Sequence, residues 1–518
     1  MSEDQAVEAY QGTDWLRLDP RTVLVRVVLF AGVLAGAALP VAFGLAGSRP
    51  LWQAFAWVAG GAALALAVTV VAETVRYRRT RYRVGLERVE LHTGLLVVQR
   101  RSLGRERIRS ADLTANPLQR VFGLVKLRIG TGEHTSGGES TLELDLVTRA
   151  EGERLRHELL ARVTATATAT EDPDHDNALA VLDPRWIRYA PVSFVAPALG
   201  GAAAGAVMQV SEWFGAQGEV IDWIGDRFRD VSVPWVIVDL ILLATVAGAV
   251  GALGLWVEMW WNYRLEREPG GTVRVSRGLF TTRSVSLEER RLRGIELVEP
   301  LGVRLCGAAR VDAVATGLAE SGDDRHTDLK TLLPAVGRET ADRVAAQVLR
   351  EPEPPTGAPL AAHPRAARTR RLGWALWSVG VPVAVLAVLG LLLTPVLLYV
   401  AAGCAVVLTP VAVLFALDAY RGLGHGVSGA YLVTRSGTLR RATVALQRSG
   451  VIGWTVRQSY FQRRAGVLTL TATTAAGAGA YDILDAGQSQ GLTFAAGAVP
   501  ELLAPFLEPV PTTEARST

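Results

Sequence analysis

The 518-residue chain is poor in the groups that build most catalytic and metal centres. Its two cysteines, Cys306 and Cys404, are too few for a disulfide framework or a four-ligand zinc site, so a disulfide-stapled secreted fold is excluded. The seven histidines, at 92, 134, 157, 175, 326, 363 and 425, show no i, i+4 or Cys/His spacing that would place two of them on one metal. No G-x-S-x-G elbow is present. Gly130-Thr131-Gly132 and Gly477-Ala478-Gly479 lack the lysine of a phosphate loop and fall between predicted strands. Lysine itself is nearly missing: Lys126 and Lys330 are the only two, so the cations are almost all arginine. Only 20% of residues are charged, and 54 Lys+Arg against 50 Asp+Glu leave a net +4, too little for a nucleic-acid partner. No enzyme, cofactor or metal site is expected.

What the chain has instead is apolar length. Hydrophobic residues make up 49% of it, and the mean hydropathy is +0.24. A helix needs roughly 20 apolar residues to cross a bilayer, because every backbone polar group there must be satisfied within the segment. Six stretches approach that length, at about 22–46, 52–74, 187–209, 234–257, 372–393 and 395–417, and they come as three pairs. The first lies behind a polar stretch carrying Glu3, Asp4, Glu8, Asp14 and Asp19 and is too long for the core of a secretory signal. Arginines crowd one set of ends (Arg76, Arg78, Arg79, Arg81 and Arg83; Arg264 and Arg267; Arg365, Arg368, Arg370 and Arg371; Arg421). The connection after the third stretch carries Glu212, Glu219, Asp222, Asp226 and Asp230. The positive-inside rule therefore places both termini and the three long polar regions in the cytoplasm of a plasma-membrane protein. Trp213, Trp223 and Trp235 on the outer side, with Trp256, Trp260 and Trp261 on the inner, suit interfacial belts.

The three polar regions repeat one another. Counting from Ser102, Ser286 and Ala445, a glycine lies 8 residues before (Gly94, Gly278, Gly437), an arginine 18 after (Arg120, Arg304, Arg463) and a second glycine 21 after (Gly123, Gly307, Gly466). In the first copy Val84–His92 and Leu95–Leu103 flank a Thr-Gly turn as a hairpin, and Arg107–Thr114 continues as a strand. Pro117–Phe122 reads as a short helical turn, and Lys126–Gly130 and Thr141–Val147 alternate as strands with one buried face. Amphipathic helices are expected over Glu151–Val163, Glu339–Leu349 and Val499–Leu507. These readings divide the chain into an N-terminal segment (1–21), hairpins (22–74, 187–257, 372–417), β modules (75–164, 258–350, 418–510), linkers (165–186, 351–371) and a tail (511–518).

A helix hairpin followed by a β module with an R-I-R, then N-P-L-Q-R-x-F-G-L core (Arg107-Ile108-Arg109, Asn116 to Leu124), resembles the bacterial pleckstrin-homology membrane family known as bPH2 or DUF304. The three-fold arrangement is similar to its large, YdbT-type members. The resemblance runs from about Leu16 to Leu507 and is best over Arg105–Gly132 and Val456–Leu468. The second copy departs most, with Leu305-Cys306 where the first has Val121-Phe122, so it is the copy expected to lose any shared ligand surface. The resemblance implies an α+β membrane protein: six transmembrane helices in three hairpins, each followed by a cytoplasmic PH-like antiparallel β domain closed by a helix. It implies membrane lipids and a smaller single-domain PH-like relative as partners. It implies no reaction.

One feature of the repeats bears physically on function. Arg105, Arg107, Arg109 and Arg120 cluster in the first copy, Arg290, Arg291, Arg293 and Arg304 in the second, and Arg448, Arg457, Arg463 and Arg464 in the third. Arginine grips phosphate oxygens bidentately, and beside an anionic leaflet each cation is worth about 1 kcal/mol. These twelve residues are the candidate contacts to lipid head groups or an acidic partner. The competing reading is structural, with the arginines pairing Glu106, Asp112, Glu288 and Glu289 or capping the short helix. The expected function is a non-catalytic scaffold. The alternative is a transporter or export component with regulatory β domains, for which Asp239 inside the fourth stretch is the obvious ionisable candidate.

Overall fold

The computed structural model describes residues 15–503, apart from 47–49, 86, 95–98, 106–107, 109, 131–140, 161–176, 193–194, 214–215, 230, 269–270 and 317–329. Arg107, Arg109, Glu106, most of the first linker and the tail lie outside the described residues. Two compact units divide the chain between Glu289 and Arg290, within the second sequence repeat.

In the first unit, β1 (Leu16–Arg17) leads into the helix pair α1 (Arg21–Ala46) and α2 (Leu51–Arg79). The first repeat follows as β2 (Arg81–Val84), β3 (Arg88–Thr93), β4 (Gln99–Gly104), β5 (Ser110–Ala115), the short α3 (Pro117–Val121), β6 (Leu124–Gly130), β7 (Thr141–Thr148) and α4 (Arg149–Leu160). Then come β8 (Ala178–Val181), α5 (Val195–Trp213), α6 (Gln217–Arg227), α7 (Val233–Trp260) and the first hairpin and strand of the second repeat, β9 (Arg264–Glu268), β10 (Thr272–Arg277) and β11 (Thr282–Glu288). One antiparallel sheet has the order β1-β2-β3-β4; the other is seven-stranded, β7-β6-β5-β11-β10-β9-β8. Alternation in the strands delivers Val89, Leu91 and Leu103 from one sheet against Leu127, Ile129, Leu142 and Leu144 from the other, and Leu155 and Leu159 of α4 close the core.

The second unit continues the repeat with β12 (Leu292–Pro300), α8 (Leu301–Leu305), β13 (Ala308–Ala315), β14 (Thr331–Gly337) and α9 (Arg338–Leu349). The helix pair α10 (Arg365–Leu392) and α11 (Pro395–Arg421) precedes the third repeat: β15 (Gly424–Ser428), β16 (Tyr431–Ser436), β17 (Arg440–Gln447), β18 (Val451–Arg457), α12 (Tyr460–Arg464), β19 (Val467–Thr474), β20 (Ala480–Gly487) and α13 (Gln488–Ala498). Its sheets run β14-β13-β12-β17-β16-β15 and β18-β19-β20.

The repeats interlock. The second half of the first repeat pairs with the first half of the second, β5 against β11. The second half of the second repeat pairs with the first half of the third, β12 against β17 over seven residue pairs. An open strand edge is a template for pairing, and a tethered neighbour supplies the partner at high local concentration. The first junction is sealed by fully buried Arg156, whose Nη1 donates to Ser286 Oγ and whose Nη2 donates to Glu268 at 2.7 Å. At the second junction Arg440 meets Glu296 at 2.7 Å.

Three sequence expectations need correction. Among the described residues five helices, not six, are long and apolar enough to cross a membrane: α1, α2, α7, α10 and α11. The stretch at 187–209 opens instead as a 3-10 turn (Pro184–Tyr189), and α5 starts only at Val195, with Gln209, Ser211 and Glu212 diluting its 19 residues. It packs closely on α7 all the same. The helix that closes the third repeat is α13 at Gln488–Ala498, ahead of the expected 499–507, of which Pro500–Leu503 is helical and 504–507 lie outside the described residues; small Gly491 lets α13 lie against Leu468 and Leu470 without an obvious apolar stripe. Trp260 is a buried packing residue beneath Arg277, 4.2 Å from ring centroid to guanidinium, and not a belt residue.

Candidate functional site at the ends of the apolar helices

The two glycines at fixed repeat offsets are where the backbone leaves ordinary conformations. Gly123, Gly307 and Gly466, each just past a short helix, have φ of +68°, +67° and +66°, the left-handed region where a side chain is penalised. The hairpin glycines Gly278 and Gly437 have φ of +115° and +101°, and a Cβ on either would lie 2.0 Å from a carbonyl oxygen. These turns fix α3, α8 and α12 at one end of their modules.

Each short helix then touches an end of a long apolar helix. At α3, Arg21 of α1 donates to the Phe122 carbonyl at 3.4 Å, and Val25 packs with Leu118, Phe122 and Leu124. At α8, Arg304 holds Asp418 of α11 at 2.8 Å. At α12, Arg370 of α10 reaches Ser459 Oγ, 3.5 Å away, and Ser459 with Gln462 forms a capping box. The last strand of the module adds a carboxylate. Asp145 of β7 accepts from Arg26 of α1 at 2.5 Å, and Arg26 also meets Glu73 of α2 at 2.7 Å. Asp485 of β20, buried and at φ +58°, accepts from Arg370 at 3.0 Å, Arg371 at 3.3 Å and Gln462 at 3.0 Å. The first and third modules are thus latched to their helices by matching carboxylates.

What these helix ends leave uncovered is apolar. Val121 on α3 is 81% exposed, Leu305 on α8 78%, and Tyr460 and Phe461 on α12 71% and 74%. Apolar side chains of this size beside cations fit a head-group boundary, where one side is oily and the other wet.

The candidate arginines separate into two groups. Arg105 donates to the Gly85 and Glu158 carbonyls at 3.1 and 2.6 Å, and Arg120 to the Leu279 carbonyl at 2.5 Å. Arg293 donates to Gln447 at 3.2 Å, Arg304 is taken by Asp418, and Arg448 donates to the Ala498 carbonyl and to Gly497 O at 3.1 Å. Arg291 is also engaged. Arg290, Arg457, Arg463 and Arg464 are exposed. Of the acids expected as partners, Glu289 pairs with Arg267, and Asp112 is buried, its carboxyl pushed up to about 7 by burial against the opposing pull of Arg128.

Two histidines that spacing did not connect meet in the third module. His363 Nδ1 lies 3.2 Å from the Asp485 carbonyl, and His425 Nδ1 lies 3.0 Å from His363 Nε2. This order requires that Nδ1–H of His363 donates to the carbonyl and that Nδ1–H of His425 donates to His363. Burial lowers His363, and burial with the neighbouring His363 takes His425 down to about 4. His425 and Phe494 line an open cleft of about 470 Å³. Among the described residues no three His, Cys, Asp or Glu side chains converge as metal ligands.

Long apolar helices in pairs, each leading into antiparallel sheets with a short helix at the membrane end, define a multi-pass membrane protein with repeated β modules. The model of the bacterial PH domain family matches residues 28–163 and 379–496, the first and third hairpin–module sets, and these two sets belong to that family. The chain is a distant homologue of the UPF0699 transmembrane protein YdbT of Bacillus subtilis (strain 168), 23% identical over 417 residues that cover 78% of this chain and 81% of that protein. No solved structure matches the chain.

Proposed function

We propose that the chain is a non-catalytic, membrane-anchored scaffold whose three PH-like modules lie on the cytoplasmic face and engage lipid head groups and partner proteins. The supporting observation is the set of exposed apolar tips on α3, α8 and α12, each beside the end of an apolar helix. In this reading Arg463 and Arg464 add head-group contacts at the third tip, and a smaller single-domain PH-like membrane protein of the family is a candidate partner. In this reading helix α5, although less apolar than the five long helices, crosses beside α7 and completes the middle of the three pairs. The transport reading rests on Asp239, which is exposed on α7.

The test places a polarity-sensitive fluorophore at Phe461→Cys in a Cys306→Ser/Cys404→Ser background, with the full chain in phosphatidylcholine vesicles with or without phosphatidylglycerol. A blue-shifted label, shielded from aqueous iodide and more so with the anionic lipid, supports the reading. A label fully open to iodide in both lipids removes it.

A further inference from the structure

The two junctions between repeats use one register. In the first, Ala115 faces Thr282; in the second, Glu299 faces Arg441. Ala115 and Glu299 each lie 13 residues after their repeat's reference serine (Ser102, Ser286), and Thr282 and Arg441 each lie 4 before theirs (Ser286, Ala445). The same pairing is therefore made twice, and the pattern leaves one unused edge at each end of the series. Strand β4 of the first repeat ends its sheet, and β18 of the third ends its own, so among the described residues neither has a neighbour on its outer side. Outward-facing side chains on β18 are apolar where a buried junction needs them: Ile452 is 63% exposed and Val456 45%. Beyond it, α12 presents Tyr460 and Phe461, while α3 and α8 of the earlier repeats reach the next repeat, through Arg120 to the Leu279 carbonyl and through Leu301 N to the Leu439 carbonyl at 2.7 Å.

We propose that these two edges are the complementary halves of a third junction, made between two copies of this chain: β18 of one copy adds to β4 of another. Carrying the register over sets Trp454 opposite Ser102, Thr455 opposite Arg101, Val456 opposite Arg100 and Arg457 opposite Gln99. No cation directly faces a cation. Arg100 and Arg101 discourage unrelated strands from adding to β4, as charges on edge strands do, while this register seats them against Val456 and Thr455. Because both modules hang from helices in the same bilayer (α2 enters β2, α11 precedes β15), a second copy in that bilayer offers β4 the same way up. The interface is heterologous: two copies that satisfy both edges close a ring, and copies that do not close continue as a row.

Paired cysteines read this register, since facing Cβ atoms on antiparallel strands come within disulfide reach. Two differently tagged full-length chains, both Cys306→Ser/Cys404→Ser, are co-expressed in membranes, one carrying Trp454→Cys or Thr455→Cys and the other Ser102→Cys or Arg101→Cys. Oxidation is expected to give a mixed-tag disulfide dimer for 454 with 102 or 455 with 101, and at least fivefold less for the shifted pair of 455 with Leu103→Cys. Light scattering on the unsubstituted protein in mild detergent is expected to show a dimer or larger. A monomeric mass with no mixed-tag product overturns the proposal. So does equal crosslinking in both registers, or, in a Cys306→Ser/Cys404→Ser chain carrying both Trp454→Cys and Ser102→Cys, a disulfide formed only within that chain.

Discussion

His425 shows what burial does to a single titratable group. The ring is buried against His363 and Phe494, with the Asp485 carbonyl at the far end of the chain of hydrogen bonds and Tyr420 Oη donating to the His363 carbonyl. Its lowered pKa means that the folded state holds the neutral ring. Stability from this site is complete above the ordinary imidazole value of 6.5 and is lost as pH falls from there toward about 4, because only the unfolded chain gains the proton. Limited proteolysis of the third module in detergent is expected to accelerate between pH 7 and 5, and His425→Gln, which keeps a donor but cannot titrate, is expected to flatten that rise. Asp112 has the opposite sign. Its carboxyl is raised to about 7 and one of its oxygens has no hydrogen-bond partner among the described residues, so its contribution falls as pH rises from about 4 through 7. Asp112→Asn should raise the melting temperature at pH 8 and leave it nearly unchanged at pH 4; an equal shift at both would show that charge is not the cause. The Asp485 latch is a third case, where removing the carboxylate strands Arg370 and Arg371 near a buried position. Asp485→Ala should cost on the order of 1–3 kcal/mol, seen as a lower thermal midpoint in detergent.

At the scale of elements, the repeated glycines and the short helices were legible in the sequence because backbone geometry demands them: a left-handed residue must follow each short helix, and the offsets advertise it. The strands of each module were legible through alternation at Leu127, Ile129, Leu142 and Leu144. The meeting of His363 with His425 was not, since 62 residues separate them and a linker carries one to a strand of the other. Nor was the pairing of β5 with β11 or β12 with β17, because strand edges join through backbone groups that every residue carries. The close crossing of α5 and α7 was also hidden, since its glycines look like any others in an apolar run. A Cβ at Gly200 would sit 2.0 Å from the Ala244 carbonyl oxygen, and one at Gly248 1.9 Å from that of Ala196. Small residues at such positions let backbones approach where no hydrophobic force joins helices. Gly200→Leu should therefore cut the yield of detergent-stable protein several-fold, while Gly201→Leu, with nothing within 4 Å, should match the parent.

For the whole molecule, the sequence repeat and the folded unit are different divisions. The repeats place a boundary in the proline-rich linker after 350, yet the compact units part between Glu289 and Arg290, between β11 and β12 of one repeat. The physical cause is the interlock: β11 and β12 are each paired with a neighbouring repeat, and the core residues Ile295, Leu297, Val444 and Leu446 are buried across the second of these pairings. Burying a leucine or isoleucine contributes about 1.5–3 kcal/mol, so a chain cut at the linker exposes far more than one cut inside the repeat. Splitting the gene after Glu289 should yield two fragments that each insert in membranes and elute as sharp peaks in detergent. Splitting it after Arg350 should leave β12 in one fragment and β17 in the other, each with a bare apolar edge, and both should aggregate when expressed alone but recover when co-expressed. If the fragment beginning at 351 is monodisperse alone and the one beginning at 290 is not, the repeat rather than the interlocked sheet is the unit that folds.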